Sequence, residues 1–263
     1  MTYAGVEDGV EWLAAPNPSG IRIGRKGPQV VVDWPGVGRA SSVSSGDIVE
    51  FTPLATAAAE TLEKFRVTGL LACRRYLSGK LSLHASAVAF PFGCIALVGE
   101  CGAGKSTTAM ALVEQHGGTF LADDIVPVDW DRDKPIVFPV KDSFWLNPDA
   151  SAWFGVEATA RSKRPCSPRT RSVAPEKLRA VVHLVFDEVI GGAELTPVTG
   201  ADAFAVLSKA HVCYSAGDDD DSVRNFEARA KLAGSTTVLR LARRRRLETL
   251  GQAAHLLEEH LSR

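Results

Sequence analysis

Hydrophobic and polar positions divide the N-terminal part of the chain into a β-like segment and a helical segment. The short apolar runs at 21–24 and 29–34 have the composition of strands and are separated by Gly, Pro and Ser clusters. We therefore expect a small β-rich layer over residues 1–52. From Thr56 to about Leu77 the apolar residues follow helical spacing, and Gly69 marks a point where this helix can divide.

The longest uncharged stretch, 81–99, contains nineteen residues, close to the roughly 20 that a membrane-spanning helix needs. A Pro-Phe-Gly break at 91–93 would interrupt such a helix near its centre. The stretch therefore predicts two buried strands, at 83–90 and 94–98, joined as a hairpin.

A helical pattern follows from Lys105 to about Gln115, and then a Gly-Gly turn and a short apolar run at 119–122. The order strand, loop, helix, strand is typical of an α/β fold with a buried central sheet. Further along the chain, the pattern predicts strands at 178–186 and 236–241 and helices at 200–209, 225–232 and 248–261.

The hydrophobic signal is weakest between residues 131 and 176, which contain many prolines and the basic run RSKRPCSPRTRS. This composition predicts a mobile basic loop over about 158–175. Its cations could close over phosphates or bind an acidic peptide, although a solvated loop explains them as well. The basic side chains concerned are Arg161, Lys163, Arg164, Arg169 and Arg171.

Two other charge runs are interpreted as surface features. Four consecutive arginines at 243–246 precede the last predicted helix, and in a chain of neutral overall charge we interpret them as a surface turn. The acidic run at 218–221 lacks the alternating pattern of a calcium loop, so we expect it to be exposed.

Composition narrows the classes of protein that the chain can belong to. It has 263 residues, 45% hydrophobic and 23% charged, which is the balance of a soluble globular protein. Thirty Lys and Arg against 31 Asp and Glu give a formal charge of −1, so no global field indicates a nucleic-acid partner. Five cysteines without a C-x-x-C pair favour reduced thiols, and the N-terminus lacks the apolar core of a secretory signal. We expect a cytoplasmic protein with no nucleic-acid and no membrane partner.

Residues 99–106 carry the clearest chemical motif, because GECGAGKS satisfies G-x-x-x-x-G-K-[ST] at every fixed position. The motif follows a predicted strand and opens a predicted helix, so a glycine-rich turn without a ligand is the weaker interpretation. Glycines let backbone amides converge on phosphate oxygens, Lys105 adds a positive charge, and Ser106 offers a hydroxyl to Mg²⁺. The residues predicted to contact ATP are Gly99, Glu100, Cys101, Gly102, Ala103, Gly104, Lys105, Ser106 and Thr107.

Two adjacent acids and one histidine complete the candidate site. Asp123 and Asp124 lie eighteen and nineteen residues after Lys105, a spacing that can bring them beside the loop. Phosphoryl transfer to a hydroxyl needs positioned Mg²⁺ and a group that accepts the hydroxyl proton, so two acids favour a transferase. A solvated Asp-Asp turn is the alternative. His84 lies fifteen residues before Gly99, and a catalytic and a structural role remain equally open for it.

At their observed spacings, the runs LHASAV, CIALVGECGAGKST and FLADD resemble the catalytic core of the HPr kinase/phosphorylase superfamily. The longer run LLACRRYLSGKLSLHASAV, with the loop and LADD after it, is similar to the compact HPr-kinase-like proteins that act as tailoring kinases of lasso peptides. The strong similarity covers about residues 70–128, and a weaker one covers 178–261. The resemblance implies a P-loop kinase domain, like the C-terminal domain of HPr kinase, over 53–263.

The resemblance also implies roles for individual residues. It makes Asp123 the general base, Lys105 and Ser106 the contacts to phosphate and Mg²⁺, His84 an active-site partner, and Asp124 a metal-side acid. The chain departs from the true HPr kinases in two respects. It has no Glu-containing segment ending in R-G-L-G-I, and only 83 residues precede His84, too few for the large N-terminal domain. Both departures count against HPr as the substrate and against phosphorolysis.

Four functions therefore remain open. The first is a kinase that uses ATP and Mg²⁺ to phosphorylate a seryl hydroxyl of a peptide or protein, most specifically a lasso peptide precursor with a C-terminal Ser. The second is a small-metabolite kinase of the same superfamily, and the third is an HPr-type protein serine kinase. The fourth is a nucleotide-binding regulatory module that no longer transfers phosphate. The oligomeric state also stays open, with a homo-oligomer among the options.

Overall fold

A computed structural model of the chain describes residues 5–12, 20–42, 48–140, 143–156, 163–214 and 219–262. Contacts divide the chain into two compact units. The first unit consists of Met1–Ser82 and Val212–Ala228, and the second consists of Leu83–His211 and Arg229–Arg263. Strand β7 (Ser82–Leu83, numbered in chain order) and helix α6 (Asp219–Ser235) lie where the chain passes between the units.

The first unit contains a six-stranded antiparallel sheet in which each strand pairs with the next along the chain. Alternating burial along β2 and β5 matches a sheet with one face against a core. The strands are β1 (Gly5–Glu7), β2 (Val10–Trp12), β3 (Arg22–Lys26), β4 (Gln29–Trp34), β5 (Gly38–Ser42) and β6 (Ile48–Pro53).

Helices α1 (Ala59–Val67) and α2 (Gly69–Leu77) cover this sheet. The predicted helix divides next to Gly69, where a Cβ would collide with the ring of Phe65. Phe65 packs edge-on against Trp34 of β4, with ring centroids 4.6 Å apart, in a cluster shared by helix and sheet residues. This packing places both helices in the first unit, whereas the sequence grouped them with the kinase domain over 53–263.

The second unit is built on a mixed sheet with helices packed against it, so the chain is an α/β protein. Its strands are β8 (Ala85–Phe90), β9 (Gly93–Val98), β10 (Thr119–Ala122), β11 (Val126–Asp131), β12 (Lys134–Val137), β13 (Phe144–Leu146), β14 (Arg164–Cys166), β15 (Glu176–Phe186), β16 (Ala193–Val198) and β17 (Thr237–Arg243). Its helices are α3 (Lys105–Gln115), α4 (Pro148–Trp153), α5 (Gly200–Ala210), the end of α6, and α7 (Leu250–Leu261).

Strands β8 and β9 form the predicted hairpin, antiparallel from Phe90 opposite Gly93 to Ala85 opposite Val98. Every residue of both strands is buried, which explains the absence of charges in this stretch. The central strands run in the order β10, β8, β9, β15, β17 and β16, and β9, β15 and β17 are parallel. The predicted hairpin, helix α3 and strand β10 are confirmed.

Residues 131–176 contain more regular structure than the sequence predicts. Strand β14 pairs with β13, and Cys166 of β14 is buried. Farther along, the backbone of Phe120 donates to Thr170 O at 3.0 Å, so the segment joins the edge of β10. The described part of the predicted mobile loop, 163–175, is therefore held by backbone hydrogen bonds, because main-chain groups pair regardless of how basic the side chains are. Arg161 and the side chains of 218–221 lie outside the described residues.

Among the described helices, none combines the length and the apolar composition needed to cross a membrane.

Two identical substitutions in the second unit test the assignment of the core. Val182 of β15 is fully buried in the main cluster, and Val173 is 93% exposed. We expect Val182→Ala to lower the free energy of unfolding by about 2 kcal/mol, because two buried methyl groups are lost. Val173→Ala should change it by less than about 0.5 kcal/mol. Urea unfolding followed by circular dichroism measures both, and equal effects would contradict the assignment.

Candidate active site

The candidate site lies at the carboxyl ends of the parallel strands β9 and β15. The chain leaves β9 through α3 and returns at β10, on one side of β9 beyond β8. From β15 the chain passes through β16, α5 and α6 to β17, which pairs with β15 on the side away from β9. The connections from β9 and β15 therefore diverge, and such a switch point opens a crevice where α/β proteins bind ligands.

Residues 99–104 form a turn from the end of β9 into the N-terminus of α3. Ala103 N donates to Glu100 O at 3.1 Å inside this turn, and Thr108 N donates to Gly104 O at 2.8 Å as the helix begins. Gly104 has a φ of 86°, in the left-handed region, and a Cβ there would lie 2.8 Å from Arg243 Nη2. A side chain at this position is excluded both by backbone conformation and by the neighbouring guanidinium. We call residues 99–104 the phosphate loop.

Lys105 is bonded across the phosphate loop. Its Nζ donates to Gly99 O at 2.9 Å and to Glu100 O at 3.2 Å. Burial lowers the pKa of Lys105 and the nearby charge of Lys163 lowers it further, while Cys101 and the two aspartates act in the opposite direction. The ammonium thus lies close to the loop and to the carboxylates.

Asp123 follows β10 directly and is 1% exposed. Its Oδ1 accepts hydrogen bonds from Ser86 Oγ at 2.5 Å and from Ser106 Oγ at 2.9 Å, and its Oδ2 accepts one from Trp145 N at 3.1 Å. Burial raises the pKa of Asp123 to about 6. The charge of Asp124 raises this pKa further by a smaller amount, whereas the three hydrogen bonds lower it. The Ser106 bond joins the first turn of α3 to the end of β10.

Asp124 lies in a different environment from its neighbour. Its φ of 70° places it in the left-handed region, which Asp tolerates better than most residues, and its side chain is 28% exposed. His84 Nδ1 lies 3.1 Å from Asp124 O and 3.3 Å from Asp124 Oδ1. Both oxygens are acceptors, so Nδ1 is the ring nitrogen that carries hydrogen in this arrangement. The backbone turn thus separates one buried carboxylate from one accessible carboxylate.

A cavity of 490 Å³ opens beside the phosphate loop within the second unit. The loop forms one wall, the end of β15 forms another, and His84, Lys209 of α5 and Arg245 also line it. His183, on β15, has its pKa lowered by burial and by the positive charges of Lys209 and Arg240, with Glu100 opposing them. Positive charge therefore predominates around this cavity.

The residues predicted from the motifs lie around one loop of the second unit. The phosphate loop, Lys105 and Ser106 adjoin Asp123, while His84 adjoins Asp124. Thr107 lies in the first turn of α3. Their chemical roles stay predictions, because geometry alone does not assign them.

Sequence reasoning missed three residues of the site. Ser86 is the second residue of β8, and His84 lies in the bend just before that strand. The sequence predicts one strand over 83–90, and its two-residue period could have indicated that Ser86 lies on the same side as His84. Trp145 contributes only its backbone amide, which no side-chain pattern reveals. Arg243 stands in a run of arginines that we interpreted as a surface turn, yet it is 3% exposed. That interpretation is wrong for Arg243, because its guanidinium lies against the aromatic ring of Phe186, 4.9 Å from the centroid.

The donor atoms around Ser106 suit a magnesium ion. Mg²⁺ prefers hydroxyl and carboxylate oxygens and keeps several water ligands, so one or two protein side chains suffice. Within the part of the chain that the structure describes, no cluster of three or more His, Cys, Asp or Glu side chains could hold a metal. Ser106 and Asp123 therefore fit a cation shared with phosphate better than a metal held by protein ligands alone.

Comparisons with known proteins give distant similarity to solved structures only. No model of a known protein family matches the chain, and no curated protein matches it. Among solved structures, it is similar to the Hpr(Ser) kinase/phosphatase from Coxiella burnetii, with a TM-score of 0.37 and 12% identity over 69% of this chain and 97% of that chain.

The pKa of Asp123 predicts how stability depends on pH. Its native pKa of about 6 lies above the ordinary value of 3.8, so the folded state keeps a proton that the unfolded chain releases in this range. Ionisation of Asp123 therefore destabilises the fold as pH rises. Relative to Asp123→Asn, we expect the free energy of unfolding of ligand-free protein to fall by on the order of 2–3 kcal/mol between about pH 4 and pH 7.

Chemical unfolding of both proteins across this pH range provides the measurement. The difference between the two proteins isolates Asp123 from the other titrating groups. A difference that stays constant with pH, or that grows in favour of the wild type as pH rises, would contradict the assigned environment.

Proposed function

We propose that the protein is a kinase that transfers the γ-phosphate of ATP to a seryl hydroxyl of a peptide or protein. The observation that carries the proposal is the bond from Ser106 to buried Asp123, immediately beside a glycine-rich loop and Lys105. A turn that only linked a strand to a helix would need neither a buried acid nor a lysine bonded across it. ATP is the nucleotide proposed, and its phosphates would bind the amides of the phosphate loop and the N-terminus of α3.

Ser106 and Asp123 are proposed to hold Mg²⁺, which neutralises charge on the β- and γ-phosphate oxygens when it is bound. Asp123 suits this role because its carboxylate already accepts the Ser106 hydroxyl and is shielded from solvent. A cation beside it would favour its ionised form and lower its raised pKa.

Asp124 and His84 are proposed to serve the acceptor. A general base must reach the hydroxyl that it deprotonates, and Asp124 is accessible whereas Asp123 is enclosed by three hydrogen bonds. In the transfer, the seryl oxygen bonds to the γ-phosphorus and the bond to the bridging oxygen of ADP breaks. The hydroxyl proton passes to the carboxylate of Asp124, which His84 holds through Nδ1. This division of roles reverses the one that the resemblance implies, in which Asp123 is the base.

The cavity beside the loop is the proposed acceptor site. Lys209 and Arg245 line it together with His183, which favours an acceptor that carries negative charge near its hydroxyl. A peptide ending in Ser offers a carboxylate next to the hydroxyl. Together with the resemblance over about residues 70–128, this chemistry makes a lasso peptide precursor the most specific substrate proposed. A small anionic metabolite is the second candidate, since the same cavity would accept it.

The acceptor is tested with peptides that differ only in the C-terminal residue or in its carboxylate. The protein is incubated with ATP and Mg²⁺ and with a peptide ending in Ser, its Ala-terminated counterpart, or its C-terminal amide. Mass spectrometry should detect one added phosphoryl group on the first peptide only. Phosphorylation of cell metabolites but of no peptide would favour the second candidate. ATP binding without any phosphorylated product across both sets would leave a regulatory nucleotide-binding module.

Substitution of each aspartate tests the proposed division of roles. We expect Asp124→Asn to reduce kcat by about 10²–10⁴-fold, the usual contribution of general acid–base catalysis, with the affinity for Mg·ATP nearly unchanged. Asp123→Asn should weaken Mg·ATP binding as well as turnover, because a metal ligand is lost. Calorimetric titration and initial rates measure these effects. The opposite pattern would support the roles implied by the resemblance.

Substitution of the cavity cations tests the acceptor site. Lys209→Met and Arg245→Met should each raise KM for an anionic acceptor about tenfold, a loss of about 1.4 kcal/mol, while KM for ATP stays within about twofold. Lys177→Met is the matched control, since this exposed lysine lies near the opposite end of β15. An increase in KM for ATP alone would assign the cavity to the nucleotide instead.

A further inference from the structure

Arg243 is a buried cation for which the described residues provide no carboxylate partner. The residue is 3% exposed, and in the described residues none of the ion pairs includes it. The backbone amide of Asp187 donates to Arg243 O at 3.0 Å, but its carboxylate pairs with Arg240, at 3.8 Å. Burial alone lowers the pKa of Arg243 to about 10, which still leaves the guanidinium charged at neutral pH.

The bonds of Arg243 satisfy only part of its guanidinium. Nη1 donates to Arg244 O at 3.1 Å, to Arg246 O at 3.2 Å and to Thr249 Oγ1 at 3.4 Å. Nε is buried and finds no hydrogen-bond partner within the ranges that the structure describes. The ring of Phe186 packs against the guanidinium and excludes water on that side. Buried charged side chains with incomplete hydrogen bonding are rare, because an unpaired charge in a low-dielectric interior destabilises the fold.

The position of Arg243 relates this charge to the phosphate loop. Nη2 lies 2.8 Å from the point where a Cβ of Gly104 would stand, so the guanidinium contacts the last residue of the loop. Gly104 is also the N-cap of α3, where unpaired amides and the helix dipole already favour an anion. The positive charge thus lies directly behind the place where phosphate is proposed to bind, in surroundings that screen it weakly.

We propose that Arg243 is a positioning residue for the nucleotide, whose charge is offset by the phosphates when they bind. It acts through the backbone of Gly104 and through its field, and it does not touch the reacting atoms. The inference rests on the proposed function, since it requires phosphate in this loop. On this inference the phosphates supply the negative charge beside Arg243 that no described carboxylate provides.

Two substitutions separate charge from hydrogen bonding. Arg243→Met removes the charge and keeps much of the chain length, whereas Arg243→Lys keeps the charge and loses the forked donors. We expect Arg243→Met to weaken Mg·ATP binding by about tenfold to a hundredfold, and Arg243→Lys to retain most of the affinity. Arg244→Met is the control, because Arg244 Nε donates to Ile190 O at 2.7 Å in the same turn and has no contact with the loop in the structure.

The measurement is the rise in melting temperature on adding Mg·ATP, together with the Kd from calorimetry. A purely structural role for Arg243 would lower the melting temperature without ligand but leave the ligand-induced rise and the Kd intact. The proposed role predicts the reverse: the ligand-induced rise shrinks in Arg243→Met, and the melting temperature without ligand changes little because an uncompensated buried charge has been removed.

The outcomes distinguish this inference from the proposed function. If wild-type protein binds Mg·ATP and Arg243→Met binds it equally well, the inference about Arg243 is wrong and the proposed function stands. If wild-type protein does not bind Mg·ATP, the proposed function is wrong, and the inference about Arg243, which rests on it, is wrong as well. Should Arg243→Met not fold, Arg243→Lys decides, since a loss of the ligand-induced rise in that variant would show that the forked hydrogen bonds matter rather than the charge.

Discussion

The hydrogen bond from Ser106 to Asp123 is the contact on which the candidate site depends. It joins the first turn of α3, the helix that follows β9, to the end of β10, and β8 separates β9 from β10 in the sheet. Because Ser86 of β8 donates to the same carboxylate oxygen, the acid lies where the loop, the helix and two strands meet. Displacement of any one of these elements would leave a buried carboxylate unsatisfied, which stabilises their mutual arrangement.

The separation of two neighbouring acids follows from one backbone dihedral. Successive side chains of an extended strand point to opposite faces, but β10 ends at Ala122, and the left-handed conformation of Asp124 turns the chain immediately afterwards. Asp123 is thereby enclosed and Asp124 reaches the accessible side with His84. Two residues of identical chemistry thus acquire different burial and different hydrogen-bond partners.

Local sequence predicted the β8–β9 hairpin, the turn after it and helix α3, because their signals are local. The hairpin is uncharged because all of its residues are buried, and the loop motif fixes residue types at fixed spacing. The different environments of Asp123 and Asp124 could not be predicted in this way, since they depend on a backbone turn and on an amide from Trp145, twenty-two residues away. Arg243 was missed for a related reason. An arginine run predicts a surface, and only the packing of Phe186 and Gly104 reveals that one member is enclosed. The unit boundary was missed because the helices after residue 58 pack on the N-terminal sheet.

The uncharged hairpin that precedes the phosphate loop makes the newly synthesised chain prone to aggregation. Strands β8 and β9 carry no charged side chain and, in the native unit, are covered on both faces. Before α3 and β15 reach them, the nascent chain exposes a continuous β-prone apolar segment, which is the composition that favours intermolecular strand pairing. Variants that delay docking of these neighbours should therefore be found in the insoluble fraction of an expression culture, even where the completed fold would tolerate them.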